Sequence, residues 1–275
     1  MKPFKVACVQ NCAGNNQVEN LLRIESLIRS AADDGAELIC LPEFYCLLEP
    51  NDSNYWKNGW DMEVHPALEH AKSIAAELGC WMLLGSIPVK ASDTKVYNRC
   101  IVLSSEGSEM GYYDKLHLFD VAIKDGQDYK ESRNVLPGRK AQLVSTPWGD
   151  LGLTICYDIR FPELYRTLAQ AGAVFISVPA AFTEKTGSAH WHTLVRSRAI
   201  ETGSYIFAPG QYGVRAWGRR TYGHSLIVDP WGTVLADGGS DEGYIVAEID
   251  PMKAVTARQM IPSLSNDVPF NVTRN

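Results

Sequence analysis

Three side chains suited to covalent catalysis each follow a strand-like run of the sequence. Cys156 comes directly after an apolar run, and Glu43 lies just beyond another. Lys115 lies at the end of a predicted hairpin strand. A thiol can attack a carbonyl carbon, a carboxylate can carry protons, and an ammonium can stabilise an oxyanion. This combination predicts nucleophilic chemistry, provided that the fold brings the three side chains together.

Cys156 occupies the most distinctive position of the three. The preceding run, residues 151–155, lacks polar alternation and therefore predicts a strand that is covered on both faces. Pro162 and Glu163 then indicate the start of a helix. A cysteine between a buried strand and a helix start lies near backbone N–H groups and the positive end of a helix dipole, which favour a thiolate and can stabilise an oxyanion. The alternative is an ordinary core cysteine, because free cysteines are among the most buried residues.

Helix-like and strand-like periodicities alternate along the chain, which predicts an α/β fold. Helices are predicted at residues 17–32, 66–78, 163–170 and 189–201. Strands are predicted at residues 4–10, 36–41, 80–87, 96–104, 109–114, 142–145, 151–155, 173–178, 205–208, 222–228, 234–236 and 244–249. The polar stretch 116–137 is predicted to be a long loop, a feature that is often functional in a compact domain. No linker-like segment divides the chain, so we expect a single domain over residues 1–275, with a core at about 3–250 and a C-terminal tail at about 251–275.

The predicted sheet gives a reason for the three reactive side chains to meet. In open α/β sheets, residues beyond the carboxyl ends of strands converge on the crevice where ligands bind. Each residue also has an ordinary explanation, since Glu43 could be a solvated loop residue and Lys115 a surface charge.

Composition excludes several classes of function. The 275 residues carry a net charge of -6 and no long basic run, so nucleic acid and anionic membranes are poor partners. No stretch approaches the roughly 18 consecutive apolar residues of a membrane span, and the N-terminus does not resemble a secretory signal. We therefore expect a soluble cytoplasmic protein. The seven cysteines include no Cys-x-x-Cys pair, so neither a zinc ribbon nor a redox pair is predicted.

The chain resembles the nitrilase superfamily of carbon–nitrogen hydrolases, whose Glu–Lys–Cys triad matches Glu43, Lys115 and Cys156. The resemblance extends from residues 6–10 to residues 222–232. Four segments are most similar to the branch that contains deaminated glutathione amidase: Leu118-Phe-Asp-Val121, Cys156-Tyr-Asp-Ile-Arg-Phe-Pro-Glu-Leu164, Gly187-Ser-Ala-His-Trp-His192 and Arg198-Ala-Ile-Glu201. The neighbouring branch is omega-amidase, which acts on amides of 2-oxo diacids.

This resemblance implies a four-layer α-β-β-α sandwich with mixed sheets and a homodimer or higher homo-oligomer. It implies an amidase without a cofactor, which cleaves the C–N bond of a small carboxylated amide, with deaminated glutathione (2-oxoglutaramyl-cysteinylglycine) as the first candidate. One alternative is an omega-amidase acting on 2-oxoglutaramate or 2-oxosuccinamate. Another is a non-catalytic ligand-binding scaffold of the same fold.

The resemblance also implies roles for individual residues. Cys156 would attack as a thiolate and form a thioester, and Glu43 would carry protons with a pKa that enclosure raises towards working pH. Lys115 and the backbone N–H of Tyr157 would stabilise the oxyanion. Glu131 matches a second family glutamate that is thought to position the lysine and the substrate.

The arginines near these motifs allow more than one interpretation. Arg160 could bind a substrate carboxylate through two hydrogen bonds, or it could form an ion pair with Asp158 or Glu163. The cluster from Arg215 to Arg220 could contact an anionic substrate, but we expect a solvated loop there.

The histidines do not predict a metal site. His190 and His192 are two residues apart, so they would not share a helix face, and packing or hydrogen bonding is the favoured interpretation. His117 or His224 could serve Cys156 in a Cys–His scheme like that of papain-like enzymes, although the local sequence does not resemble that family.

Overall fold

The computed structural model describes residues 2–48, 59–123, 129–215 and 217–274. Their strands, in chain order, are β1 (Phe4–Gln10), β2 (Leu38–Cys40), β3 (Trp81–Lys90), β4 (Val96–Leu103), β5 (Glu109–Asp114), β6 (Asp120–Val121), β7 (Tyr129–Lys130), β8 (Val135–Leu136), β9 (Gln142–Thr146), β10 (Gly149–Leu153), β11 (Phe175–Ser177), β12 (Tyr205–Ala208), β13 (Tyr212–Val214), β14 (Arg220–Tyr222), β15 (Leu226–Val228), β16 (Val234–Asp237) and β17 (Gly243–Ile249). The α-helices are α1 (Gln17–Asp33), α2 (Pro66–Leu78), α3 (Pro162–Gln170), α4 (Glu184–Thr202) and α5 (Met252–Met260), and single 3₁₀ turns occupy Met62–Val64, Glu131–Arg133 and Cys156–Arg160.

The strands form two mixed sheets of similar design. The first sheet has the order β17-β1-β2-β3-β4-β5, with β8 paired to β4, and the second has the order β16-β15-β12-β11-β10-β9. Three parallel strands lie at the centre of each sheet, β1-β2-β3 in the first and β10-β11-β12 in the second. Antiparallel neighbours flank both triplets.

Side-chain alternation along the strands separates two cores. In β1, Val6 and Cys8 join a core that also contains Phe175 of the second sheet, whereas Ala7 and Val9 face the core beneath α1 and α2. Alternation of this kind places successive side chains on opposite faces of a sheet. Helices α3 and α4 pack on the outer face of the second sheet. The four-layer α-β-β-α sandwich that the resemblance implied is therefore confirmed.

Three segments differ from the sequence prediction. Residues 252–260 form α5 where only a tail was predicted. The sequence did not predict this helix because it buries just Ala254 and Ala257 and has little apolar periodicity. The predicted strand at 222–228 is broken into β14 and β15, because His224 has a left-handed backbone with φ 50°. Helix α4 begins five residues before the predicted start, where the side chain of Thr183 caps it.

The predicted loop at 116–137 contains only the short strands β6, β7 and β8 and one 3₁₀ turn among its described residues. Its residues 124–128 lie outside the described part of the chain. Among the helices that the structure describes, none combines the length and apolar character required to cross a membrane.

Candidate active site

A buried cluster of charges lies at the carboxyl ends of the first sheet's strands. The Nζ atom of Lys115 is 2.8 Å from Oε1 of Glu43 and 2.9 Å from Oε2 of Glu131. Asn98 joins the two carboxylates, since its Nδ2 donates to Glu43 Oε1 at 2.9 Å and to Glu131 Oε1 at 3.0 Å. Only 3% of Glu43 and 2% of Lys115 are exposed. One ammonium is therefore held between two carboxylates away from bulk water, where electrostatic interactions are strong.

Close backbone packing fixes Glu43 beyond the end of β2. The following residue, Phe44, has a left-handed backbone with φ 53°. Its N–H donates to Ser86 Oγ at 2.9 Å. Strand β3 approaches so closely that a Cβ atom at Gly85 would lie 1.9 Å from the carbonyl oxygen of Leu41, so only glycine fits at this position. Glu43 therefore projects from a rigid turn.

The second sheet presents Cys156 in a similar way, directly beyond β10. Its backbone is left-handed, with φ 49°, and its N–H donates to the carbonyl oxygen of Pro179 at 2.9 Å. This conformation is unfavourable for a residue with a side chain, and strain of this kind concentrates at functional sites. The thiol lies next to the Glu43 carboxylate, whose charge raises the pKa of the thiol, and the N–H of Ala181 donates to Glu43 Oε2 at 2.9 Å. The structure thus brings Glu43, Lys115 and Cys156 together.

Buried Asp158 holds the turn that follows Cys156. It accepts hydrogen bonds from the N–H of Ile155 at 2.9 Å and from the hydroxyl of Tyr113 at 2.7 Å. It also accepts from the N–H of His117 at 3.1 Å, and the Nδ1 atom of the same histidine lies 2.7 Å away. Since Tyr113 belongs to β5, the bond from its hydroxyl ties the first sheet to the turn of the second.

The protonation states differ from those expected from the sequence. Burial raises the pKa of the Cys156 thiol well above its usual value, the negative charge of Glu43 adds to the effect, and Lys115 offsets it only in part. Burial also tends to raise the pKa of Glu43, but the charge of Lys115 and hydrogen bonds from Lys115, Cys156 and Asn98 outweigh it, and the net pKa is lowered. The expectation of a raised pKa for Glu43 is therefore wrong, and the surroundings of Cys156 do not favour the thiolate as its sequence position suggested. The resting pair is a neutral thiol beside an ionised carboxylate.

Lys115 remains charged despite its burial. Burial alone would lower its pKa, but the charges of Glu131 and Glu43 raise it above the usual lysine value. Glu131 is itself held by a third donor, the N–H of Phe119, at 2.7 Å. The structure therefore includes Glu131 in the cluster, as the resemblance implied that it should be near the lysine.

Cys156 and the charged cluster line one pocket that is open to solvent. Much of its wall is aromatic and is formed by Phe44, Phe119, Tyr129, Tyr157 and Phe182. Thr183, Thr186 and Arg219 add polar groups. Such a site can attack a carbonyl with sulfur, stabilise the oxygen with an ammonium and move protons through a carboxylate.

Residues 5–259 match the family model described as carbon–nitrogen hydrolase. The chain belongs to this family. The motif resemblance found in the sequence is confirmed, and the protein is hereafter called the hydrolase.

Individual relatives match the hydrolase along nearly its whole length. A deaminated glutathione amidase of Synechocystis is 41% identical over 273 residues, which cover 98% of the hydrolase and 99% of the relative. Omega-amidase NIT2 of Bos taurus is 36% identical over 265 residues, which cover 96% of the hydrolase and 95% of the relative. The crystal structure of Saccharomyces cerevisiae Nit3, a member of branch 10 of the nitrilase superfamily, aligns with a TM-score of 0.85 at 31% identity and covers 95% of each chain.

Within the described part of the chain, Arg160 lacks the ion pairs that its sequence position allowed, and its binding of a substrate carboxylate stays a prediction. In the hydrolase its Nη2 atom lies 3.3 Å from Nδ1 of His190, and its guanidinium lies over the ring of Phe182. It is not among the described residues that line the pocket. Between described residues it forms no ion pair with Asp158 or Glu163.

The hairpin of β13 and β14 places its arginines in different environments. Arg215 is buried and donates to Gln211 Oε1 at 2.6 Å and to the carbonyl oxygen of Tyr212 at 2.8 Å. Arg219 lines the pocket, whereas the side chain of Arg220 is 60% exposed. The expectation of a solvated loop is therefore right for Arg220 and wrong for the other two.

His192 and His224 share one carboxylate on the outer side of the second sheet. His192 Nε2 lies 2.9 Å from Asp237 Oδ2, and His224 Nδ1 lies 2.9 Å from Oδ1 of the same residue. The hydrogen-bonding interpretation of His192 is confirmed. Their three ligand-type atoms lie within 4.8 Å of one another and could hold a metal ion, but each imidazole is already paired with the carboxylate. Neither His117 nor His224 is among the described pocket residues, so the Cys–His scheme gains no support.

Sequence reasoning missed Asn98, which joins the two glutamates. Its signal was available, because it lies in β4 between Val96 and Cys100, two buried residues on the same strand face. A polar residue on an apolar strand face needs a polar partner, since burying it unpaired is costly. The sequence did not show which partner that was.

Proposed function

We propose that the hydrolase is an amidase that cleaves small carboxylated amides through a thioester on Cys156, with deaminated glutathione as its substrate. The observation that carries this proposal is the position of the Glu43 carboxylate. It accepts a hydrogen bond from the Lys115 ammonium at 2.8 Å, and it lies next to the Cys156 thiol at the pocket. Nucleophile, proton carrier and oxyanion stabiliser are thereby connected through one side chain.

In the first step, the sulfur of Cys156 attacks the amide carbonyl carbon while its proton moves to Glu43. The transfer accompanies the attack, because the thiol is neutral and the carboxylate ionised before substrate binds. The negative charge that develops on the carbonyl oxygen is stabilised by Lys115 and by the backbone N–H of Tyr157. One oxyanion donor is typically worth on the order of 10²- to 10³-fold in rate.

Glu43 then completes both halves of the reaction. It gives its proton to the leaving nitrogen, so that the C–N bond breaks and the amine departs from the thioester. It next takes a proton from water, whose oxygen attacks the thioester, and the proton finally returns to the sulfur as the acid product leaves. Glu131 and Asn98 act as positioning residues, because they fix Lys115 and Glu43 through the hydrogen bonds described above.

The choice of substrate is supported by the relatives and by the charge of the pocket. A deaminated glutathione amidase is 41% identical to the hydrolase, compared with 36% for an omega-amidase. Arg219 also gives the pocket wall a cation. Omega-amidase activity on 2-oxoglutaramate is the second candidate, because that compound contains the same acyl group.

Turnover of both compounds by the wild type and by Cys156→Ala tests the proposal. We expect the wild type to release cysteinylglycine from deaminated glutathione with a higher kcat/KM than it shows for ammonia release from 2-oxoglutaramate. Cys156→Ala should release neither. Absence of both turnover and an acyl adduct on Cys156 by mass spectrometry would favour the non-catalytic scaffold instead.

We further propose that the hydrolase forms a homodimer through the surface around α5. Exposed apolar side chains cluster beside two adjacent hollows that share Pro230, Trp231 and Ala257. Trp231 is 55% exposed and Met260 is 65% exposed, which is more typical of an interface than of a free surface. Analytical ultracentrifugation should show a dimer for the wild type and a monomer for Trp231→Asp. Met110→Asp, an exposed position on β5, should remain dimeric, and a monomeric wild type would contradict the proposal.

We also infer that the protein works in a reducing compartment such as the cytoplasm. All seven of its cysteines are free thiols, and Cys156 must stay reduced to act as a nucleophile. Fractionation of cells that express the tagged protein tests this inference, and recovery from an oxidising compartment would contradict it.

A further inference from the structure

Arg219 is a second cation in the pocket wall, and its role differs from that of Lys115. The ammonium of Lys115 is already paired with Glu43 and Glu131. Arg219 has no acidic partner among the residues that the structure describes. Its positive charge is therefore available to a bound molecule.

The hydrogen-bonding groups of Arg219 are also incompletely used. Its Nη2 makes one long contact, 3.4 Å, with the carbonyl oxygen of Ala181, and its guanidinium lies 5.8 Å from the ring centroid of Tyr129. Its Nε is buried and has no hydrogen-bond partner among the described residues. The same holds for the indole nitrogen of Trp217 in the same loop. Buried donors without partners are rare and costly, so a loop that contains two of them lacks a polar partner.

The neighbouring arginines show that this situation is particular to Arg219. Arg215 is buried but donates to Gln211 and to backbone carbonyl groups. Arg220 is largely exposed and lies 3.8 Å from Glu184. Of these three arginines, Arg219 alone lines the pocket.

Arg219 shares the pocket wall with two threonines and with the carboxylates of the charged cluster. Thr183 and Thr186 lie at the N-terminus of α4, where the helix dipole favours an anion. Glu43 and Glu131 line the same pocket as Cys156. Ala181 lies between Arg219 and Glu43, because its carbonyl oxygen accepts from Arg219 and its N–H donates to Glu43. A short acyl chain with a carboxylate at one end and an amide at the other fits this arrangement.

We propose that Arg219 binds the carboxylate on the acyl side of the substrate and thereby selects carboxylated over neutral amides. This inference rests on the proposed amidase function. The planar guanidinium provides paired donors that match the two oxygens of a carboxylate. The leaving group needs no charge for this contact, so amides of the same 2-oxo acid with different amines share it.

A matched pair of substrates isolates the contact. In 2-oxoglutaramate the only carboxylate is on the acyl side, and 4-oxopentanamide has a methyl group in its place. Arg219→Ala should lower kcat/KM for 2-oxoglutaramate by about 10- to 100-fold, mainly through KM, as expected for the loss of a charge-assisted hydrogen bond. Its kcat/KM for 4-oxopentanamide should be unchanged. Arg219→Lys should recover part of the loss, and Arg220→Ala, the neighbouring control, should match the wild type on both compounds.

A binding measurement makes the test independent of turnover. Isothermal titration calorimetry should detect binding of 2-oxoglutarate to the Cys156→Ala protein. In the double variant that also contains Arg219→Ala, the affinity should be lower by about 10-fold or more. Equal losses of kcat/KM on the two amides, or unchanged binding of 2-oxoglutarate, would overturn the role of Arg219. Failure of the wild type to hydrolyse deaminated glutathione as well as both of these amides would overturn the amidase function instead, and the binding measurement would still decide the role of Arg219.

Discussion

The two sheets contribute differently to the same site. The first sheet supplies side chains that are paired with one another, because Glu43, Lys115 and Asn98 lie on or just beyond its strands. The second supplies Cys156, the proposed nucleophile, on a left-handed backbone, together with the N–H of Ala181. The first sheet thus carries the charged side chains, and the second sheet sets the orientation of the Cys156 thiol. Because the groups must meet across the interface, packing between the sheets determines how well the site works.

Glu43→Gln should produce the largest change on the first sheet. The amide keeps the shape of the side chain but cannot accept the thiol proton or activate water. We expect kcat to fall by about 10²- to 10⁴-fold, the usual contribution of a general base. Steady-state kinetics with a melting curve checks this, and an active Glu43→Gln variant would show that the first sheet's carboxylate is not the proton carrier.

Lys115→Met should reduce both rate and stability. We expect a rate loss of about 10²- to 10³-fold, because an oxyanion donor disappears. Two buried carboxylates would also lose their shared counter-charge, which should destabilise the fold by about 3–5 kcal/mol. Urea unfolding beside rate measurements separates the two effects. A variant as stable as the wild type would show that Lys115 does not stabilise the two buried carboxylates.

The pH dependence of kcat/KM tests the direction of the shift at Glu43. The proposed mechanism requires the Glu43 carboxylate, and its pKa in the folded protein lies below the usual 4.5. The rate should therefore be constant from neutral pH into the acid range and should fall only below pH 4.5. The stability that this carboxylate provides is present above its unfolded pKa and is lost as pH falls through the lower folded value.

Asn98→Ala sharpens this test, because it removes a hydrogen bond that favours the ionised form of Glu43. The acid limb of the profile should move to higher pH in this variant. An acid limb near pH 6 in the wild type would contradict the lowered pKa of Glu43 and would support the raised pKa that is expected from enclosure alone.

Tyr113→Phe should have the smallest effect, because it removes only the tie between the sheets. The hydroxyl donates to Asp158 and accepts from the N–H of Leu116, so its loss leaves buried polar groups incompletely satisfied. We expect a loss of about 1–3 kcal/mol in the free energy of unfolding and a smaller rate loss than in the preceding variants. Thermal unfolding and kcat together check this. An unchanged stability would show that the contact does not hold the two sheets in register.

The sequence determined the fold class and pointed to three side chains that the structure places at one pocket, Glu43, Lys115 and Cys156. Strand and helix periodicities are local, so most elements could be predicted within a few residues, and side chains beyond parallel strands converge for general reasons. The same locality explains why α5 was missed, since its nine residues bury only Ala254 and Ala257.

Only the tertiary structure decided the protonation states and the roles of the arginines. The partners of Glu43 come from residues 72 and 138 positions away, namely Lys115 and Ala181, and no sequence pattern gives their distances. A pKa depends on which charges lie within hydrogen-bonding distance and how far water is excluded. The three arginines of the β13–β14 hairpin likewise differ because of what each one packs against. Arg215 is buried, Arg219 lines the pocket and Arg220 is exposed to solvent. The kind of reaction could therefore be predicted from residue types. The protonation states of the site, in contrast, follow from contacts between distant parts of the chain.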